Sequence, residues 1–164
     1  MKKIALFLLG IACLFAVTAC GSDPVQDELV TYLNEGIQPL VEQESKITAL
    51  YDSVTGNNYK DDATLYYTLK DEIIPQYSDY ISKIESIQTT TPEVREIHET
   101  LIKAANTQNS AFVTTLSALE AQDYAKAEEA NTKLSEGRKL FRDYQSNLSS
   151  LASEHDVTIK KAQE

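Results

Sequence analysis

The last third of the chain carries apolar or small residues at every third or fourth position. The pattern comprises Ala127, Ala130, Leu134, Gly137, Phe141, Tyr144, Leu148, Leu151 and His155. Residues at this spacing lie on one face of an α-helix, so the pattern predicts a long amphipathic helix. Because such a helix has to bury its apolar face against other elements, this pattern constrains the fold more than any other feature.

Three earlier segments have the same spacing, and we call each row a stripe. The first stripe comprises Leu33, Ile37, Leu40, Glu44, Ile47, Tyr51 and Val54. The second comprises Tyr66, Leu69, Ile73, Tyr77, Tyr80, Ile84 and Ile87, and the third comprises Val94, Ile97, Leu101, Ala105, Gln108, Phe112, Thr115 and Leu119. No run of residues alternates with the period of a β-strand, so the sequence predicts an all-α chain.

The connections between the four predicted helices are short. They lie at residues 55–60, at residues 88–91 and around Asp123. Short connections make sequential helices run in opposite directions, so the sequence predicts an antiparallel up-down-up-down four-helix bundle. Pro39 and Pro75 fall inside the first and second helices, which are therefore expected to be kinked or broken there.

The two halves of the fourth stripe differ in size. Its first half, beginning at Ala127, is small, whereas its second half is large. Small residues let neighbouring helices approach closely, so we expect the bundle to be narrow near the Asp123 turn and wider near the C-terminus. Residues 156–164 carry no stripe and are expected to form a frayed tail.

The N-terminal segment has the layout of a secretory signal. Lys2 and Lys3 precede an apolar run at residues 4–16, and small residues then lead to Cys20. An ordinary secreted protein and an uncleaved membrane anchor are the alternatives. The apolar run up to Cys20 is about seventeen residues long, which is the lower limit for a helix that spans a membrane.

The end of this segment, Val17-Thr18-Ala19-Cys20 followed by Gly21, resembles the lipobox of bacterial lipoproteins. The resemblance implies cleavage before Cys20 and a diacylglyceryl group on its sulfur. Acyl chains contribute about 0.8 kcal/mol per buried methylene, so two chains hold a protein stably on a membrane. With Cys20 modified and Cys13 removed with the signal, no cysteine remains for a disulfide or a metal site.

The chain then divides into four regions. They are a lipoprotein signal peptide at residues 1–19, a lipid-anchored linker at 20–23, a helical bundle domain at 24–155 and the tail at 156–164. The full chain has 15 Lys and Arg against 25 Asp and Glu, a net charge of -10, and removal of Lys2 and Lys3 makes it -12. Such a charge repels nucleic acid and anionic headgroups, so we expect membrane contact through the lipid alone.

Four polar residues are predicted at about the same height in the bundle, roughly 18 to 21 Å from the Asp123 turn at 1.5 Å per residue. They are Glu44, Glu72, Gln108 and Arg138. They form either a site for a metal or small ligand, or a buried layer in which Arg138 neutralises a glutamate and Gln108 fixes the register, or they point outward. The absence of any Glu-x-x-His sequence, which di-iron bundles use, favours the second and third interpretations.

The loop at residues 55–60 and the turn at residues 122–124 are predicted to form one end of the bundle, which we call the distal end. Most of the nine tyrosines lie in stripes, but Tyr59 and Tyr124 lie at this end. Tyrosine combines an apolar ring with a polar tip and suits recognition. The candidate partner-binding residues are therefore Asn57, Asn58, Tyr59, Lys60 and Tyr124, and the alternative is that these are plain connecting loops.

The sequence contains no Ser-His-Asp arrangement, no glycine-rich phosphate loop and no cluster of metal ligands. His98 and His155 are predicted to lie about 13 Å apart along the bundle axis, too far to share a haem. We therefore expect a non-enzymatic protein without a cofactor, anchored on the extracytoplasmic face of the cell membrane. It is expected to bind an envelope protein or a cell-wall partner, and the alternative is a small-ligand or metal carrier that uses the bundle interior. In overall composition the chain resembles small helical lipoproteins of Gram-positive bacteria.

Overall fold

The computed structural model of the protein describes residues 23–160. The predicted signal peptide, Cys20 and the last four residues lie outside this range. All regular secondary structure within it is helical, which confirms the predicted all-α class. The six α-helices are α1 (Pro24–Thr31), α2 (Val41–Val54), α3 (Asp62–Thr68), α4 (Ile74–Glu85), α5 (Pro92–Ala121) and α6 (Tyr124–Glu154).

Regular α-helix is interrupted at both prolines where the sequence predicts kinks or breaks. Between α1 and α2 the chain forms a π-helical segment, Tyr32–Ile37, and a 3-10 turn, Gln38–Leu40, that contains Pro39. Between α3 and α4 a π-helical segment, Leu69–Ile73, precedes Pro75. Proline has no backbone N–H and its ring clashes with the preceding turn, so the regular ladder of hydrogen bonds cannot continue through it.

Aspartates define the starts of three helices. Asp23, Asp61 and Asp123 are the N-cap residues of α1, α3 and α6, and each side chain accepts at least one backbone N–H of the first turn. A side-chain oxygen at this position satisfies a donor that the helix itself leaves unpaired. Thr91 holds the same position in α5 but makes no such bond.

Helices α5 and α6 form an antiparallel pair. Gln122 ends α5 in the left-handed conformation, with φ of 50°, and the chain reverses there. The Lys126 ammonium donates to the Ser117 hydroxyl at 3.2 Å, and the Lys133 ammonium donates to the Thr114 hydroxyl at 2.9 Å. Residues further along α6 thus contact residues closer to the start of α5, as expected for antiparallel helices.

The predicted stripes supply most of the core. The largest fully buried side chains are Tyr80, Tyr144, Phe112, Leu29, Leu33, Ile37, Ile47, Leu69, Ile73, Ile84, Leu101 and Gln108. Phe112 is the centre of an aromatic group, since its ring lies 5.0 Å from that of Tyr51 and 5.2 Å from that of Tyr77. No helix among residues 23–160 combines the length and the apolar character that crossing a membrane requires.

The chain beyond α6 packs against the core as far as it is described. Val157 is only 7% exposed, and its N–H donates to the carbonyl of Ala152 at 2.7 Å. Ile159 is partly buried against the same core. Residues 156–160 therefore do not form the frayed tail that the sequence predicts. The prediction missed their packing because two apolar residues two positions apart do not produce a helical stripe.

Candidate functional site

A groove with a volume of about 520 Å³ lies at the distal end. It is bordered by the end of α2, the start of α3 and the turn between α5 and α6. Its apolar lining consists of Leu65, Ala118, Leu119, Ala127, Ala130 and Leu134. Tyr51, Tyr59 and Tyr124 also line it, and Tyr124 is 89% exposed. We call this cavity the distal groove.

The distal groove lies at the end of the molecule where the sequence predicts the narrowest packing. Ala118 of α5 and Ala130 of α6 are both buried on the side of the helix pair that faces the groove. Their short side chains do not, however, fill the space between this helix pair and Leu65 of α3. These small residues thus leave the adjoining volume open.

The charged side chains that line the distal groove are the carboxylates of Asp62 and Asp123. Asp62 accepts the hydroxyl of Tyr59 at 2.5 Å and the side-chain amide of Gln122 at 3.4 Å, so it links the loop to the turn. The hydrogen bond to this carboxylate raises the pKa of Tyr59 to about 12. Asp123 uses its Oδ1 to accept the N–H groups of residues 125 and 126.

Two of the five predicted recognition residues line the distal groove. These are Tyr59 and Tyr124, whereas Asn57, Asn58 and Lys60 are exposed on the neighbouring loop. The side-chain amide of Asn58 donates to the carbonyl of Asp52 at 3.0 Å and so stabilises that loop. The sequence places Tyr51 and Leu134 in the core stripes, assigns no role to Leu65, and identifies none of the three as groove residues. The one available signal was the run of small residues at the start of α6.

The four residues of the predicted interior polar layer do not all lie inside. Glu44 and Gln108 are buried, with 6% and 1% exposure. Glu72 is exposed, so its assignment to the layer is wrong. It lies in the π-helical segment before Pro75, where Leu69 and Ile73 take the buried positions. Height along an axis does not determine which face a residue occupies, and Glu72 lies outside the predicted stripe that contains Leu69 and Ile73.

The interior around Gln108 contains buried nitrogen atoms without a hydrogen-bond partner in the protein. They are Nε2 of Gln108 and Nη1 of the half-buried Arg138. Gly137 packs against Gln108 so closely that an added Cβ would lie 3.5 Å from its backbone nitrogen. Burial raises the pKa of Tyr51 to about 12, an effect that the nearby Arg138 opposes. Neutralisation of a glutamate by Arg138 stays a prediction.

The described residues contain no group of three or more His, Cys, Asp or Glu side chains arranged to hold a metal ion. The buried Glu44 instead lies near tyrosines: burial, and secondarily the charge of Glu44, raises the pKa values of Tyr77 and Tyr80 well above the usual range. These hydroxyls are held in the neutral form. The part of the interior around Glu44 is therefore a tyrosine-rich polar cluster within the apolar core.

The opposite end of α6 joins three parts of the chain. The His155 ring contacts the Asp23 carboxylate through Nδ1 at 2.6 Å, and the side-chain amide of Gln26 donates to the His155 carbonyl at 2.6 Å. The Glu28 carboxylate accepts the backbone N–H groups of Thr90 and Thr91. The start of α1, the end of α6 and the connection before α5 thus meet at what we call the proximal end.

Acid is expected to weaken the proximal end. The His155 contact lowers the pKa of Asp23, and the Thr91 and Thr90 hydrogen bonds lower that of Glu28 although partial burial opposes them. A carboxyl group whose pKa is lower in the folded protein than in the unfolded chain stabilises the fold at pH values above its unfolded pKa. This contribution is lost as the pH falls through the pKa of the folded protein. Urea unfolding midpoints should therefore decrease between about pH 5 and pH 2.

The variant Asp23→Asn/Glu28→Gln should make this decrease shallower, because it removes two of the carboxyl groups with lowered pKa values while Asn keeps the helix cap. Glu35→Gln, at an exposed position, is the matched control and should leave the pH dependence unchanged. An equally steep decrease in the double variant would contradict the assignment to these two carboxylates.

Comparison with known proteins gives no relative from which a function could be transferred. No family model matches the chain, and neither a curated protein nor a solved structure is significantly similar to it.

Proposed function

We propose that this protein is a non-enzymatic binding protein, anchored by lipid on Cys20 to the extracytoplasmic face of the cell membrane, with the distal groove as its binding site. The observation that carries the proposal is the groove itself, at the end of α6 opposite Asp23. Pockets of about 300–1,000 Å³ with mainly apolar walls and a few polar groups are typical ligand sites. The groove has these properties.

The proposal includes an antiparallel up-down-up-down arrangement of the four helical segments. Hydrogen bonds at both ends support it. At the proximal end the start of α1 meets the end of α6 and the connection before α5, through Asp23 and Glu28. At the distal end Asp62 meets Gln122 and so links the start of α3 to the turn before α6.

The position of the lipid anchor determines which way the distal groove faces relative to the membrane. Cys20 is three residues before Asp23, so the lipid adjoins the proximal end. Helix α6 has 31 residues, and at 1.5 Å per residue it separates the two ends by roughly 45 Å. Without Lys2 and Lys3 the net charge changes from -10 to -12, and its repulsion by anionic headgroups keeps the domain off the membrane surface, with the distal groove at the end remote from the lipid.

The anchor is tested by the intact mass of the protein purified from its own membrane fraction. We expect a chain that begins at Cys20 and carries acyl mass, because two acyl chains give stable attachment. Cys20→Ser should lack the acyl mass and leave the membrane fraction. Cys13→Ser, which changes the other cysteine, is the control and should behave as the parent does. An unmodified parent chain would contradict the anchor.

A further inference from the structure

We propose that the ligand of the distal groove is a small amphipathic organic cation, with an apolar body and an ammonium-type headgroup. This inference rests on the proposed function, since it assumes that the groove is the binding site. It adds the chemical class of the ligand, which the size, the walls and the charge of the groove indicate.

The size of the groove and the chemistry of its walls favour a small molecule over a protein segment. Its volume of about 520 Å³ lies within the range of sites for small organic ligands. Leu65, Leu119 and Leu134 provide an apolar lining from three different helices. A ligand that enters it would bury hydrocarbon, which contributes about 25 cal/mol per Å² of apolar surface.

The charge of the groove indicates the sign of the charge on the ligand. Asp62 and Asp123 line it, and no Lys, Arg or His side chain is among the lining residues. The donors to Asp62 are the hydroxyl of Tyr59 and the amide of Gln122, which are neutral and leave its negative charge uncompensated. An anionic headgroup would be repelled by both carboxylates, whereas a cationic one would be attracted.

The aromatic residues add a second reason for a cation. Tyr51, Tyr59 and Tyr124 line the same groove as the two carboxylates. The face of a tyrosine ring attracts ammonium groups through its electron-rich centre. Tyr124 is 89% exposed although it borders an apolar cavity, so its ring is available to a ligand. Carboxylates and tyrosine rings around an apolar groove together favour an amphipathic cation.

The inference is tested with three probes that share one naphthyl body. They are naphthylmethyltrimethylammonium, naphthylmethanol and naphthaleneacetate, which are cationic, neutral and anionic. Binding is measured by equilibrium dialysis against the purified full-length protein in neutral phosphatidylcholine vesicles, with empty vesicles as the blank. We expect the cation to bind about fivefold to tenfold more tightly than the neutral probe, and the anion to bind least, because each exposed charge pair contributes up to about 1 kcal/mol.

Two sets of variants separate the charge of the groove from its volume. Asp62→Asn/Asp123→Asn should reduce the ratio of cation affinity to neutral-probe affinity to about one, because it removes both charges while Asn still caps α6. Ala127→Leu should weaken all three probes by filling the groove from a half-buried position. Ala125→Leu adds the same volume at an exposed position of the same helix turn and should change nothing.

The outcomes distinguish this inference from the function on which it rests. If the neutral or the anionic probe binds as tightly as the cation, or if the double Asn variant keeps the preference, the cation assignment is overturned while the groove stays the site. If no probe binds, or if Ala127→Leu leaves binding unchanged, the distal groove is not the binding site and the proposed function fails with it.

Discussion

Replacement of Phe112 by alanine is expected to lower the free energy of unfolding by about 3–5 kcal/mol, the cost of truncating a buried aromatic residue. Phe112 is fully buried, and its ring contacts those of Tyr51 and Tyr77 at centroid distances of 5.0 and 5.2 Å. Truncation removes these contacts and leaves a cavity that the surrounding rings can only partly fill. Urea unfolding followed by circular dichroism measures the loss.

The neighbouring Val113→Ala is the matched control, because Val113 is 48% exposed on the same helix. It should change the free energy of unfolding by less than about 0.5 kcal/mol. A loss below about 1 kcal/mol for Phe112→Ala would contradict its central position in the core. The slope of the denaturation curve should stay constant, since a changed slope would indicate a change in the unfolded state or in cooperativity.

Replacement of Tyr144 is expected to separate packing from hydrogen bonding in the interior. Tyr144 is fully buried, and its hydroxyl lies 3.4 Å from that of Tyr32, which is itself 3.4 Å from Nδ1 of His98. Tyr144→Ala should cost about 3–5 kcal/mol through the cavity. Tyr144→Phe keeps the ring and removes only the hydroxyl, so it should cost about 0.5–1.5 kcal/mol.

Both losses can be measured by the same urea titration. Tyr124→Ala is the control, because Tyr124 is 89% exposed and its truncation should cost less than about 0.5 kcal/mol. Equal losses for Tyr144→Phe and Tyr144→Ala would show that the ring contributes nothing by packing, contrary to its burial. No loss in Tyr144→Phe would exclude a stabilising role for the contact with Tyr32.

Local physics made part of the fold predictable from the sequence. The stripe that contains Leu134 and Tyr144 predicted α6, because residues three and four apart share a helix face whatever surrounds them. Pro39 and Pro75 predicted the interruptions, since a missing N–H acts within one turn. The lipid anchor on Cys20 comes from an equally local motif and stays a prediction.

The candidate site was only partly predictable. Tyr59 and Tyr124 were identified because they lie in connections that short loops bring to one end of the molecule. Leu134 was not, since a row of apolar residues does not tell which members border an unfilled volume, and Leu65 lies outside the predicted rows altogether. That volume depends on the distance between α3 and the α5–α6 pair, which no segment determines by itself.

The sequence alone thus determined the helical class and the positions of the connections, because these depend on contacts within one or two turns. Only the tertiary structure decided which polar groups are buried and where space is left. Glu44 and Glu72 were assigned to one polar layer by their height alone, yet Glu44, which lies in a stripe, is buried, whereas Glu72, which lies outside the stripe of Leu69 and Ile73, is exposed. Val157 is likewise buried in the core, although no stripe marks its position in the sequence.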